Sequence, residues 1–364
     1  MLRVLHIGLT SNPGGLESFV MNVYRNVDRT KIQFDFLSYA GTKLAYEDEI
    51  KSLGGKVYPI IYPRQNISRF TKPIIKFLKE KKYQIVHQHR THLGDIDYLW
   101  MAKLAKVPVR ILHAHSTGYM SPLNSLVKLT EKLNRTYLES VSTDLFACSN
   151  DAGKWMFGEH EFKLIRNAID LESFTYNPDV RLDYREKLGI KNDELVIGHV
   201  GMFNPVKNQA FIVHLLSELL RSNSKYKVML IGEGPLLESI QALVTQLGLE
   251  ERVLLLGKRK DITALMNAMD LFVFPSLFEG LGIAAIEAQA NGLPIILSNT
   301  VTKEVKFSSN VEFLSLEDMS EWTKTITHVD LERLDNTLLL EQAGYEIKEM
   351  ADSLVKSYYN SLYI

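Results

Sequence analysis

Short apolar runs rich in β-branched and aromatic residues recur at 4–7, 33–37, 57–61, 84–87, 109–113 and 144–148. Between them the apolar positions return every three or four residues, as over 16–27 and 123–140. Unbroken apolar runs mark buried strands and a period near 3.6 marks helices, so strand and helix alternate along the chain. Strands buried on both faces and joined by helices form parallel sheets covered on both sides. The rhythm breaks over 166–195, where Asn167-Ala168-Ile169-Asp170 and Asn177-Pro178-Asp179 are turn-rich and Lys191-Asn192-Asp193-Glu194 is polar. A second series of apolar runs follows at 195–201, 227–231, 252–256, 271–275 and 294–297. The pattern predicts an α/β protein with two doubly wound parallel-sheet domains, residues 1–180 and 181–345, facing a central cleft. Ligands would bind at the carboxyl ends of the strands. Residues 338–359 read as helix, and 346–364 could cross back to the first domain.

The length of 364 residues exceeds what one compact core usually covers, which agrees with two domains. A formal charge of −1 argues against a dedicated nucleic-acid binder. The single cysteine, Cys148, excludes an intramolecular disulfide and fits a reducing cytosol. The N-terminal run lacks a signal-peptide pattern, and no apolar stretch approaches the roughly twenty residues of a spanning helix. A cytoplasmic protein is expected. One stretch adds a second possibility: Arg64, Arg69, Lys72, Lys76, Lys79, Lys81 and Lys82 interleave with Phe70, Ile74, Ile75, Phe77 and Leu78. The favoured reading is the solvated face of an amphipathic helix. The sharper reading is a helix on an anionic membrane surface, making the protein peripheral on the cytoplasmic face.

The most informative run is Phe274-Pro275-Ser276-Leu277-Phe278-Glu279-Gly280-Leu281-Gly282-Ile283-Ala284-Ala285-Ile286-Glu287. An apolar strand enters a glycine-rich turn and a helix follows, so unpaired N–H groups and the positive end of a helix dipole suit a phosphate. Glu279 and Glu287 are placed to accept hydrogen bonds from hydroxyls on either side of it. Sugar, diphosphate and ribose in a row have that shape. Other predicted strand ends carry glycines or cations: Gly8 to Glu17 with Gly14 and Gly15, Gly201 to Asn208 with Lys207, Gly232-Glu233-Gly234, and Gly257-Lys258-Arg259-Lys260. The first does not match the Gly-x-Gly-x-x-Gly dinucleotide fingerprint, and taken alone is equally a plain loop.

Histidines cluster at His87-Gln88-His89 with His92, and at His113-Ala114-His115. No HExxH or cysteine spacing supports a metal, and structural packing is the favoured reading for most of them. A neutral histidine hydrogen-bonding a sugar hydroxyl is the functional alternative. Asp95-Ile96-Asp97 has a metal–nucleotide spacing but opens a helical pattern, so helix-start acids explain it better.

These residues resemble the retaining, GT-B-fold glycosyltransferases of family GT4, particularly bacterial enzymes of exopolysaccharide and capsule assembly. The resemblance runs over nearly the whole length and is most specific at Glu279-x7-Glu287. Gly14-Gly15-Leu16-Glu17, His113-Ala114-His115-Ser116, Asn167-Ala168-Ile169-Asp170 and the run from Val200 to Asn208 support it. It implies two Rossmann-like domains and transfer from a nucleotide-diphosphate sugar, a UDP-sugar foremost, to a glycan or lipid-linked acceptor, with no bound metal or other cofactor. Glu279 would contact the transferred sugar, Glu287 the ribose, and the N–H groups of Gly280, Leu281 and Gly282 the diphosphate. Lys207, in the loop opened by Gly201, would neutralise phosphate oxygens, with Gly14 and Gly15 helping from the other domain. Gly232 and Gly234 would line the donor site, backbone near Arg259 and Lys260 would read the base, and His115 would lie close to the anomeric centre. The chain departs from the family at Met202, where an arginine is common, and at Ala168, where glycine is common. A non-catalytic GT-B accessory subunit and a nucleotide-sugar epimerase are the alternatives.

Overall fold

The computed structural model describes residues 1–39, 42–60, 67–119 and 123–363, and only the backbone of 67–70. The chain forms two compact units, Met1–Ile169 with Gly344–Ile364, and Asp170–Ala343.

The first unit holds a parallel seven-stranded sheet in the order β3-β2-β1-β4-β5-β6-β7. Its strands are β1 (Leu2–Ile7), β2 (Ile32–Tyr39), β3 (Val57–Ile60), β4 (Ile85–Arg90), β5 (Val109–Ala114), β6 (Asp144–Ala147) and β7 (Lys163–Leu164). On one face Val4, Phe34, Ile85, Ile111 and Phe146 pack against two helices. The helix Gly15–Asn26 contributes Phe19, Val20 and Val23, and Ile347–Tyr363 contributes Ile347, Ala351, Leu354 and Tyr358. The second unit repeats the design with six parallel strands in the order β10-β9-β8-β11-β12-β13. They are β8 (Leu195–Val200), β9 (Tyr226–Ile231), β10 (Val253–Leu255), β11 (Leu271–Phe274), β12 (Ile295–Ser298) and β13 (Val311–Leu314). Helix Gln209–Leu220 packs Ile212, Leu215, Leu216 and Leu219 onto this sheet, each essentially fully buried. Burying such side chains stabilises by about 2 kcal/mol apiece, which is why an apolar stripe at helical spacing settles on a sheet.

Three boundaries differ from the sequence expectation. The first unit ends at Ile169 and not near 180, because helix Pro178–Lys187 is fastened to the second sheet. Arg181 and Arg185 reach Asp270, just before β11, at 2.5 and 3.1 Å, and the Asp270 carboxylate also accepts from the Val196 N–H at 2.7 Å. The helix expected over 338–359 is broken into Thr337–Gln342 and Ile347–Tyr363. Gly344 lies between them at φ +81°, a left-handed turn that ends a helix. Ile169 then bonds Tyr345 and Ile347 on either side of Glu346, stitching the return segment to the first unit. The helix expected over 123–140 divides at Tyr137 into Ser125–Thr136 and Leu138–Val141.

The basic stretch forms helix Ile67–Lys81, with Ile74 and Leu78 buried and Lys72, Lys76, Lys79 and Lys81 facing solvent. Arg64 and the Arg69 side chain lie outside the described residues. The apolar face of this helix is used by the unit's own core, so what it presents outward is charge. No helix among the described residues is long and apolar enough to cross a membrane.

The Asp270 knot yields a prediction. Removing a carboxylate that two arginines share in a largely buried setting leaves uncompensated charge, so Asp270→Ala is expected to cost about 3–5 kcal/mol. A urea titration would show this as an earlier transition for the second unit, with the first unit's transition unmoved.

Candidate functional site

In the second sheet the chain winds outward from β8 to β9 and β10, then returns to start again at β11. The connections after β8 and β11 therefore leave in opposite directions, and the gap between them is where open α/β sheets bind ligands. The loops after these two strands are tied together. The Leu277 N–H donates to the Val206 carbonyl at 2.8 Å, and Asn208 donates to the Pro275 carbonyl at 3.3 Å. Asn208 takes a left-handed conformation at φ 53°, which lets helix Gln209–Leu220 start at once. Within this frame the Lys207 ammonium lies 2.6 Å from a Glu279 carboxylate oxygen and 4.7 Å from the centre of the Phe274 ring. Both side chains are largely buried, 19% and 13% exposed. Two residues 72 positions apart in sequence thus meet at the sheet's opening.

Gly280, Leu281 and Gly282 follow as a buried turn. Gly282 stands immediately before helix Ile283–Ala290 at φ +83°, with a Cβ there 3.2 Å from the Phe274 ring, so the turn needs glycine. Glu287, one turn into that helix, is half-buried. Burial pushes its carboxyl up to about 7, against an opposing pull from Lys207. Lys207, Glu279, Glu287 and the 280–282 turn are therefore brought into one site.

The other strand-end glycines do a different job from the one expected. A Cβ at Gly232 would sit 2.0 Å from the Gly201 carbonyl oxygen, and one at Gly234 would sit 2.5 Å from that of Phe203. They let the loops after β8 and β9 lie backbone to backbone. The Gly201 N–H bonds Ile231 and the Gly232 N–H bonds Gly257, so neither is available to a phosphate. Arg259 and Lys260 follow β10, about 15 Å from β11 across three strand spacings. The Arg259 guanidinium is closed on Asp261 at 2.8 and 2.5 Å, and Tyr184 also donates to Asp261 at 2.9 Å. The Arg259 side chain is therefore engaged, while Lys260 is exposed. At the Met202 position the carbonyl accepts from Gln209 at 3.0 Å and the side chain carries no charge.

In the first unit the strand order reverses between β1 and β4. The loop after β1 is organised by Glu17, a residue sequence reasoning passed over. Its nearly buried carboxylate accepts from the N–H and hydroxyl of Thr10 at 2.8 and 2.9 Å and from the Gly14 N–H at 3.0 Å. A glutamate three residues beyond the residue that precedes a helix is a capping signal that could have revealed it. Gly14 is thus already bonded, and Gly15 is the exposed first residue of its helix. His115 follows β5, with Nε2 2.9 Å from His89 Nδ1. Imidazole nitrogens of His6, His87 and His89, and of His89, His113 and His115, fall within 4.8 Å of one another. The closest pairs are 2.9–3.2 Å apart. Contacts of that length are hydrogen bonds between two neutral rings, one N–H donating to a bare nitrogen.

Residues 13–173 match Glycosyltransferase Family 4, and residues 180–326 match Glycosyl transferases group 1. Over 371 aligned residues the chain is 36% identical to the putative glycosyltransferase EpsF of Bacillus subtilis (strain 168), spanning 98% of this chain and 96% of that protein. The chain belongs to the family 4 glycosyltransferases. It is 30% identical over 277 residues, 73% of this chain and 71% of the relative, to the Escherichia coli UDP-Gal:alpha-D-GlcNAc-diphosphoundecaprenol alpha-1,3-galactosyltransferase. Anabaena HepE, solved in complex with UDP and glucose, matches with a TM-score of 0.78 at 16% identity, over 99% of this chain and 100% of that one. That likeness shows the fold, GT-B.

Glu287 makes the glycosyltransferase's stability depend on pH with a defined sign. Its carboxyl is held above the unfolded value of about 4.3, so the folded state favours the protonated form. The stability it contributes is complete below about pH 4.3 and is lost as pH rises through about 7. Melting temperatures of the ligand-free protein across that window should fall more steeply for wild type than for Glu287→Gln; parallel curves would contradict the assignment.

Proposed function

We propose that this glycosyltransferase moves a sugar, with retention, from a UDP-sugar to a lipid-linked or polysaccharide acceptor in bacterial surface-polysaccharide synthesis. The observation that carries the reading is the Lys207–Glu279 pair at the opening between β8 and β11. A cation and a hydroxyl acceptor stand side by side there, which suits the junction between a diphosphate and the sugar it carries. Lys207 binds phosphate oxygens and stabilises charge on the leaving UDP, so the reaction needs no bound metal. Glu279 accepts from hydroxyls of the transferred sugar, Glu287 accepts from the ribose, and the N–H groups of the 280–282 turn hold the diphosphate. The role proposed for His115 is a hydrogen bond to a hydroxyl of the transferred sugar. Backbone near Arg259 and Lys260 meets the base.

The bond from the anomeric carbon to the phosphate oxygen breaks as the bond to the acceptor oxygen forms on the same face. The acceptor's proton passes to the leaving phosphate. The Escherichia coli relative, named for a UDP-galactose donor and a diphosphoundecaprenol acceptor, supports this substrate class, as does HepE with its UDP.

A lipid-linked acceptor calls for contact with a bilayer, and helix Ser125–Thr136 supplies the surface. It turns its polar side inward, where Asn134 donates to the Leu93 carbonyl at 2.7 Å and Glu131 accepts from the Leu93 N–H at 3.1 Å. Leu126, Leu129 and Leu133 face outward, 69%, 55% and 52% exposed, beside Lys128 and Lys132. An apolar stripe flanked by cations suits an anionic membrane. The exposed lysines Lys72, Lys76 and Lys79 would add to the attraction.

Two measurements test these readings. With a panel of UDP-sugars and an undecaprenyl-diphosphate-sugar acceptor, wild type should form product, while Lys207→Ala and Glu279→Ala each lower kcat about a hundredfold or more. Near-wild-type turnover in both variants would remove them from the site. In flotation assays the protein should rise with anionic liposomes, and Leu129→Glu with Leu133→Glu should leave it at the bottom. Binding that ignores lipid charge and these leucines would overturn the membrane surface.

A further inference from the structure

Two buried polar residues of the second unit, His199 in β8 and Gln209 at the start of helix Gln209–Leu220, bond across the opening between β8 and β11. An apolar residue would fill either place with no polar atoms to satisfy, so the pair asks for a reason beyond packing. The register between the two strands ends at Gly198 with Phe272. One residue further the His199 ring takes over, with Nδ1 3.0 Å from the Val273 carbonyl oxygen on β11. On its other side Nε2 lies 3.5 Å from the Gln209 amide nitrogen, a long contact. That nitrogen also donates to the Met202 carbonyl at 3.0 Å. Met202 stands at the start of the loop that carries Lys207.

The protons along this chain of bonds have one arrangement. A backbone carbonyl can only accept, so His199 carries its proton on Nδ1. Burial pushes the His199 ring down to about 4, so near pH 7 it is neutral and Nε2 is bare. Bare Nε2 and the Met202 carbonyl are both acceptors, so the Gln209 amide turns its nitrogen, with two N–H groups, toward them. The amide oxygen is left buried without a protein partner. The opposite orientation would set that oxygen against two acceptors.

We propose that Gln209 and His199 are positioning residues for Lys207, tying its loop to β11 so that its ammonium meets the diphosphate. This rests on the reading that Lys207 binds phosphate oxygens. On that reading Lys207 gives up Glu279 when a donor arrives, so its loop must be held by bonds outside the ion pair. Gln209 holds the loop at Met202, and Asn204 accepts from the Lys207 N–H at 3.0 Å. Gly201 lets the parts come close, since a Cβ there would sit 3.1 Å from His199 Nε2 and 3.2 Å from Lys207 Cδ. His199 and Lys207 also share the Phe274 ring, whose centre is 5.7 Å from the imidazole and 4.7 Å from the ammonium.

The test is a double-mutant cycle on the full chain, read by calorimetric titration with UDP. Lys207→Ala should weaken binding about tenfold or more. Gln209→Leu, which loses both N–H groups, should weaken it about tenfold, but less than about twofold where Lys207 is already alanine. His199→Phe should follow the same pattern, and it carries the test if Gln209→Leu does not fold. An equal loss with and without Lys207 would overturn the proposal, because it marks a general structural role. Wild-type affinity in both single variants, Gln209→Leu and His199→Phe, would overturn it too. If Lys207→Ala binds UDP as wild type does, or wild type binds none, the reading of Lys207 falls and the proposal falls with it. Nitrogen NMR of the wild-type histidine rings decides even where neither variant folds. His199 should be protonated on Nδ1, and a proton on Nε2 would overturn the chain of bonds.

Discussion

Between β8 and β11 the strand connections part in opposite directions, and what the second unit does depends on that opening. Elsewhere along a parallel sheet the crossover helices crowd the strand ends. Here they diverge, leaving a gap about one strand spacing wide with a loop on each side. Lys207 comes from one loop and Glu279 from the other, and two backbone-anchored hydrogen bonds keep the loops in register. Gly282 extends the same logic, since its left-handed turn against Phe274 starts the next helix at the rim and brings Glu287 to the site.

The charge-assisted hydrogen bond between Lys207 and Glu279 is worth about 1.5–3 kcal/mol and offsets part of the cost of holding both groups largely out of water. Each group is thus held ready by the other. In the proposed complex a diphosphate would offer Lys207 more negative charge than Glu279 does, and sugar hydroxyls would offer Glu279 the donors it gives up. On the proposed reading, donor binding would exchange partners at the site and create no new buried charge.

Much of this was legible in the sequence because it is periodic or local. Alternating apolar runs and helix-period segments placed eleven of the thirteen strands found among the described residues. The strands β7, two residues long, and β13, where Glu312 interrupts the apolar run, are edge strands with too little pattern to read. The Glu279–Glu287 run announced its turn and helix. What stayed hidden depends on contacts between distant segments. Gly232 and Gly234 look like phosphate-binding glycines, and only their approach to Gly201 and Phe203 shows that they serve packing. Period-two spacing put His87 with His89, and His113 with His115. Only the register pairing His6 with His87 and His89 with His113 brought all five together. The division of the chain moved to Ile169 because two arginines chose Asp270, and nothing local to residues 178–187 signals that partner.

The most direct test of the central claim, that the Lys207–Glu279 pair keeps the place of a nucleotide sugar, is a crystal structure of the protein bound to a UDP-sugar. Lys207 should leave Glu279 for a phosphate oxygen, with Glu279 turned to hydroxyls of the sugar and Glu287 to the ribose. An intact Lys207–Glu279 contact, with the diphosphate bound elsewhere, would contradict it.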